Sequence, residues 1–185
     1  MCRVWQTRRR ADIRETPDVT VGGLCQHRPM AETFDVVATR DLPVAPEEAW
    51  LSWTDPRYVR QWWGPEGFTC TLAELDVRVG GTSRVCMSAP QWGFDAMYST
   101  WDYTLVEAPN RLEFLHNNVD ENGVVMEMPG VPHDVSHEIT FEALGPELTR
   151  MTVTEYGYPT EETRDLSQRG LEECLDKLVK LFPGS

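Results

Sequence analysis

Two adjacent tryptophans stopped by Gly-Pro, in Gln61-Trp62-Trp63-Gly64-Pro65, stand eleven residues ahead of Asp76-Val77-Arg78-Val79-Gly80-Gly81. The first segment is a helix end carrying two large rings, because Gly and Pro terminate a helix. The second runs into a double glycine that tolerates positive φ and makes a tight turn. Together they point to helices lying in a curved antiparallel sheet, with a cavity between. They specify a container and leave its contents open.

At 185 residues the chain fits one domain. A domain of this size buries roughly 70% of its unfolded surface and needs no disulfide or metal to hold a core. Seven tryptophans suit either a core or a pocket wall. The net charge of −13 argues against nucleic acid, whose phosphates require clustered Lys and Arg, and against docking on anionic membranes. No apolar run reaches the roughly 18 residues of a membrane span. The five cysteines, Cys2, Cys25, Cys70, Cys86 and Cys174, are odd in number and form no Cys-x-x-Cys pair. They read as free thiols of a cytoplasmic protein. Arg8-Arg9-Arg10 is not followed by an apolar stretch, so it does not read as an export signal.

Residues 1–30 hold six Arg against three acids, whereas the rest holds 11 Lys+Arg against 27 Asp+Glu. This basic, aperiodic stretch reads as a disordered leader or extension, with the domain spanning 31–185. Period-two alternation predicts a first strand over Phe34–Arg40. Pro46-Glu47-Glu48 opens a short helix, and Asp55-Pro56 divides it from a second that ends at Trp62. Strands are predicted over Phe68–Val79 with a bulge near Ala73–Leu75, over Ser83–Met87, and over Met97–Val106 with Met97, Trp101, Tyr103 and Leu105 on one side. Further strands centre on Leu112–His116, His137–Phe141 and Met151–Val153, with a short one at Val124–Met128. The last element is the plainest. Leu166, Leu171, Cys174, Leu175, Leu178, Val179 and Phe182 recur at three-and-four spacing, which makes Glu161–Phe182 an amphipathic helix capped by Thr160. Gly170 inside it costs about 1 kcal/mol against Ala and so implies close backbone approach or room for a ligand. Strands followed by a segregated helix make an α+β domain.

With these segments in order, the chain from Phe34 to Phe182 resembles the START-like superfamily (polyketide cyclase, birch-allergen-like), and within it the heat-shock-protein-90 ATPase activator homologue family. The resemblance rests on Pro43–Trp50, Trp53-Thr54-Asp55-Pro56, Gln61–Pro65, Asp76–Gly81, Leu105–Leu112, Gly170-Leu171 and Leu175–Leu178. It implies a helix-grip fold, a curved antiparallel sheet of about six or seven strands wrapped around the long C-terminal helix, with two short helices after the first strand. The family often has Trp after the helix glycine; Leu171 here widens or reshapes the cavity. The run Met126–His133 resembles an insertion near where such cavities open.

The fold does not fix the activity. Binding of a small hydrophobic or amphipathic ligand is the first reading, with Trp62, Trp63, Trp101, Tyr103, Phe114, His116, His137, Met151, Leu171, Cys174 and Leu175 as contributors. Only one of Trp62 and Trp63 need face the cavity; the other packs. A chaperone-interaction module is the second reading and is carried by the resemblance. A cyclase or dehydratase is the third. It rests on His116 and His137, which share strand parity with Leu112, Phe114, Ile139 and Phe141 and so point inward, as does Glu155 with Met151 and Val153. His133 and His137, four apart, form no metal motif, and no cofactor is called for. Asp76 and Arg78 read as a salt bridge shaping the turn. Cys174 lies on the apolar stripe beside two glutamates and reads as core. A homodimer through a sheet edge or the short helices is a further expectation.

Overall fold

The computed structural model describes residues 33–182, so the expectation for residues 1–30 lies outside them. Ten elements follow in order: β1 (Phe34–Leu42), α1 (Pro46–Thr54), α2 (Pro56–Trp62), β2 (Thr69–Glu74), β3 (Thr82–Ala89), β4 (Phe94–Glu107), β5 (Arg111–Val119), β6 (Val135–Gly145), β7 (Leu148–Tyr158) and α3 (Glu161–Val179). A single 3-10 turn, Pro90–Trp92, joins β3 to β4. The strands form one antiparallel sheet in the order β1-β7-β6-β5-β4-β3-β2. The first described strand therefore pairs with the last, and β2 closes the opposite edge. This is the expected α+β helix-grip architecture.

Local chemistry sets the helix boundaries. Pro46 and Pro56 each occupy a first helical turn, where the missing N–H costs nothing. Asp55 ends α1 and caps α2 by accepting from the Arg57 backbone N–H at 2.8 Å. Thr160 caps α3 by accepting from Thr163 N–H at 3.2 Å.

Four expectations need correction. The strand after Phe68 ends at Glu74 rather than Val79, and its irregularity lies between Cys70 and Leu72. Asp76 and Arg78 form the expected ion pair, at 2.9 Å, in the turn that follows. The apolar face of β4 changes after Tyr103, where the β4–β5 register shifts, so Val106 rather than Leu105 packs on the core. Val124–Met128 is no strand; Val125 makes one bridge to Val119, and Val124, Val125 and Met126 are exposed.

The interior is aromatic. Trp53, Trp62 and Trp101 are fully buried, with Trp53 4.7 Å from Trp62 and 5.9 Å from Trp101 between ring centroids. Phe114 stacks on Trp101 at 5.1 Å. Two of these three indole N–H groups find partners, as burial favours, while that of Trp101 has none among the described residues. Trp62 donates to the Ser52 carbonyl at 2.7 Å, and Trp53 donates to the Met151 sulfur at 3.1 Å. Through these contacts α1 and α2 are pinned onto the sheet.

Both outer strands are covered by side chains. The Gln168 amide of α3 accepts from Val37 N–H at 3.3 Å and donates to Val37 C=O at 3.1 Å, as a neighbouring strand would. At the other edge the Arg60 guanidinium of α2 donates to the Thr71 and Ala73 carbonyls. Satisfied edge groups are poor templates for strand addition. Helix α3 is held on its other flank as well. Lys177 donates to the Gly64 and Phe68 carbonyls at 2.7 and 3.0 Å, and Glu173 accepts from Glu66 N–H at 3.0 Å. Helix α3 is thus clamped between β1 and the 64–68 turn.

The packing makes a graded prediction. Trp62→Ala empties a core site and should cost about 3–5 kcal/mol in urea unfolding. Trp62→Phe mainly strands the Ser52 carbonyl and should cost about 1–3 kcal/mol. Equal, negligible losses would refute the packing role.

Candidate functional site

Helix α3 changes character along its length. Its C-terminal half buries Leu171, Cys174, Leu175 and Leu178. Its N-terminal half turns Ser167 and Gly170 inward at the same spacing, and Leu166 is exposed. A Cβ built on Gly170 would meet nothing within 4 Å. Close backbone approach is therefore not why glycine stands there; open space lies beneath it. That space is a pocket of about 190 Å³. Trp53, Trp63, Met87 and Leu171 supply apolar wall, and Gly64 and Pro65 form part of the rim. Ser99, His116, Asn118, His137, Glu155, Tyr158 and Ser167 supply the polar part. A second lobe of about 190 Å³ adjoins it, sharing His116, Asn118, Tyr158 and Ser167 and reaching Pro129, Val131, Thr163 and Leu166. A surface recess of about 480 Å³ lies along Glu127–Pro132 and Pro159.

Glu155 organises the polar part. Only 5% exposed, its Oε2 accepts from the Tyr158 hydroxyl and the Ser167 hydroxyl, each at 2.6 Å. The two hydroxyls are themselves 2.7 Å apart. Its Oε1 lies 3.4 Å from His137 Nε2. Burial alone would push this carboxyl up; the His137 charge and the hydrogen bonds from His137, Ser167 and Tyr158 outweigh burial and hold it down to about 2. Tyr158 is pushed well above the usual phenol range by burial and by the adjacent carboxylate. His137 Nδ1 lies 2.9 Å from the Val135 carbonyl, which can only accept, so Nδ1 carries a proton. Both ring nitrogens of His137 are then engaged by the protein.

His116 differs. Its ring is 5.3 Å from His137 and 6.1 Å from Trp63 between centroids, and it has no hydrogen-bond partner among the described residues. Burial and the His137 charge lower its pKa to about 3, with Glu155 opposing weakly. It faces the pocket as a neutral imidazole at neutral pH. The Cys174 thiol is pushed up to about 12 by burial, so it offers no thiolate.

The named sequence candidates divide cleanly by position. Trp63, His116, His137, Leu171 and Cys174 line the pocket. Trp62, Trp101, Tyr103, Phe114, Met151 and Leu175 lie in the core behind it. Tyr103 spends its hydroxyl on Ser83 at 2.8 Å. Ser99, Asn118, Tyr158 and Ser167 were absent from the candidates. Parity with Trp101 and Tyr103 marks Ser99 as inward, and Ser167 stands three and four residues before Gly170 and Leu171. Parity with Met151, Val153 and Glu155 would point Tyr158 outward, and it is buried only because the β1–β7 register shifts between Glu155 and Tyr158. Among the described residues, no group of three His, Cys, Asp or Glu is arranged to hold a metal, and no helix is long and apolar enough to cross a membrane.

A family profile described as Activator of Hsp90 ATPase homolog 1-like protein matches residues 43–183. The chain belongs to this family. Solved structures with the same fold include protein Ms6760 from Mycobacterium smegmatis, 22% identical with a TM-score of 0.67, the match covering 84% of this chain and 94% of that one. A protein from Arthrobacter aurescens is 25% identical with a TM-score of 0.68, covering 81% and 86%. The AHSA1 protein from Silicibacter pomeroyi is 21% identical with a TM-score of 0.67, covering 80% and 96%. A comparison with proteins of curated function finds no match. These likenesses concern the fold; the pocket chemistry is read from this chain's own residues.

That chemistry predicts a pH dependence. A histidine whose folded pKa lies below its unfolded value of 6.5 contributes stability that is present above about pH 6.5 and lost as pH falls toward 3. A carboxyl lowered from 4.5 to about 2 contributes stability above about pH 4.5 that is lost below it. The wild type should therefore lose on the order of 1–2 kcal/mol between pH 7 and pH 5, chiefly through His116. In His116→Gln the decline should begin only below about pH 4.5. Identical urea-unfolding profiles for the two proteins between pH 7 and 5 would refute this.

Proposed function

We propose that this family member binds a small, largely apolar molecule with a hydrogen-bonding end, held between the sheet and α3. The observation carrying this reading is the pocket beneath Gly170, where apolar walls meet a polar platform. Two adjoining lobes of about 190 Å³ each suit a compact ligand of one or two fused rings or a short branched chain. The indole of Trp63 in the wall provides a flat apolar contact and a fluorescent reporter.

The geometry favours binding over catalysis. His137 has no free ring nitrogen to offer a substrate, His116 is a weak base at neutral pH, and the Cys174 thiol stays protonated. A cyclase or dehydratase would have to work through His116 alone. Chaperone activation is carried by the family description, with the acidic chain offering charge to a basic partner. An ATPase assay with the host chaperone tests that alternative directly.

The binding reading is tested with the uncharged fluorophore 6-propionyl-2-dimethylaminonaphthalene. It should bind with one-to-one stoichiometry, blue-shift its emission and quench Trp63. Gly170→Leu, whose side chain enters open space rather than packed atoms, should weaken binding at least tenfold while the far-UV dichroism is retained. Absent binding, or equal affinity in the folded variant, would contradict a ligand site beneath α3.

A further inference from the structure

The platform where the two lobes join carries three side chains that the fold does not use. Ser99 on β4 and Asn118 on β5 are direct register partners, and His116 is two residues from Asn118 on the same face of β5. Directly opposed Cβ atoms are about 5 Å apart, and diagonal ones lie within about 8 Å. All three line the pocket. None has a side-chain hydrogen-bond partner among the described residues, and none of their polar atoms is sealed away in the core. By contrast, the neighbouring Asn117 on the opposite face is fully engaged with Asp134, at 2.8 and 2.9 Å. Facing the pocket rather than sealed in the core, the three groups are available to pair with water or with a ligand.

Their chemistry defines the missing partner. A hydroxyl, a carboxamide and a neutral imidazole each both donate and accept. No free cation stands among the lining residues. His137 is committed to Val135 and Glu155, and Lys177 is spent on the Gly64 and Phe68 carbonyls. The carboxylate that faces the pocket is Glu155, and its oxygens are already taken by Tyr158, Ser167 and His137. A ligand carboxylate would lose its hydration while His137, its ring nitrogens already held by Val135 and Glu155, has no N–H left to offer it, and it would lie beside a like charge. A ligand ammonium would find no unoccupied carboxylate to pair with.

Resting on the binding reading above, we infer that the ligand's polar end is an uncharged group that both gives and accepts hydrogen bonds, of the primary amide or alcohol class. It is seated on Ser99, His116 and Asn118, and the pocket discriminates against carboxylates and ammonium groups.

The test is a titration of the full chain at pH 7.5 with a series on one ring system: naphthalene, naphthalene-2-carboxamide, 2-naphthalenemethanol, 2-naphthoate and 2-naphthylmethylammonium. The amide and alcohol should bind at least tenfold tighter than either charged member and at least fivefold tighter than naphthalene. Ser99→Ala and Asn118→Leu should each lower the ratio of amide to naphthalene affinity by fivefold or more, with folding checked by circular dichroism. If 2-naphthoate or the ammonium binds as tightly as the amide, or the ratio is unmoved in both folded variants, the inference is overturned while the binding site stands. If no member binds at all, the pocket reading itself fails and takes the inference with it.

Discussion

One buried carboxylate constrains the upper half of this molecule. Glu155 lies inside an otherwise aromatic and aliphatic domain, where an unpaired charge would cost several kcal/mol. It is tolerable only because donors arrive from three elements: His137 from β6, Tyr158 from its own strand β7, and Ser167 from α3. Each hydrogen bond to a charged group contributes on the order of 1.5–3 kcal/mol, and removing a donor leaves the remainder under-satisfied. The carboxylate therefore fixes the height at which the N-terminal half of α3 sits over the sheet. That half cannot collapse onto the sheet as Leu175 and Leu178 do lower down, and the pocket is the space that results.

The clamps along α3 complete this picture. Gln168 ties the helix to the backbone of β1, Arg40 reaches Asp176, and Lys177 with Glu173 grips the 64–68 turn. The turn held by Lys177 carries Gly64 and Pro65, which are pocket rim. Helix position, rim position and the covered edge of β1 are consequently set by one group of contacts. A small side chain at 170 and a hydroxyl at 167 then leave the volume unfilled. Membership of the Activator of Hsp90 ATPase homolog 1-like family accounts for the scaffold.

Much of this scaffold was legible in the order of residues. Pro46, Asp55-Pro56 and Gly64-Pro65 punctuate the short helices, and three-and-four spacing marks α3, because these signals are local. Inward pointing of His116, His137 and Glu155 followed from strand parity. Parity could not separate pocket from core. Trp101, Phe114 and Met151 face the same side as His116, yet they lie where α1 and α2 cover the sheet, and only the tertiary arrangement decides which stretch is covered. The register shift after Tyr103 and the early end of β2 were missed for a related reason. A bulge changes phase through backbone geometry, and an alternating pattern read on one strand does not reveal what its neighbour imposes. Ser99, Asn118 and Ser167 escaped notice because small polar residues on strands and helices ordinarily face water.

The most direct test of the account is amide hydrogen exchange on Glu155→Gln, an isostere that removes the charge and one acceptor. The account predicts that protection falls selectively in the first half of α3, around Ser167 and Gly170, and in the last residues of β7, while the amides around Leu175 and Leu178 keep theirs. Unaltered protection over residues 161–171, or a loss spread evenly along the whole helix, would contradict the claim that this carboxylate holds the helix off the sheet.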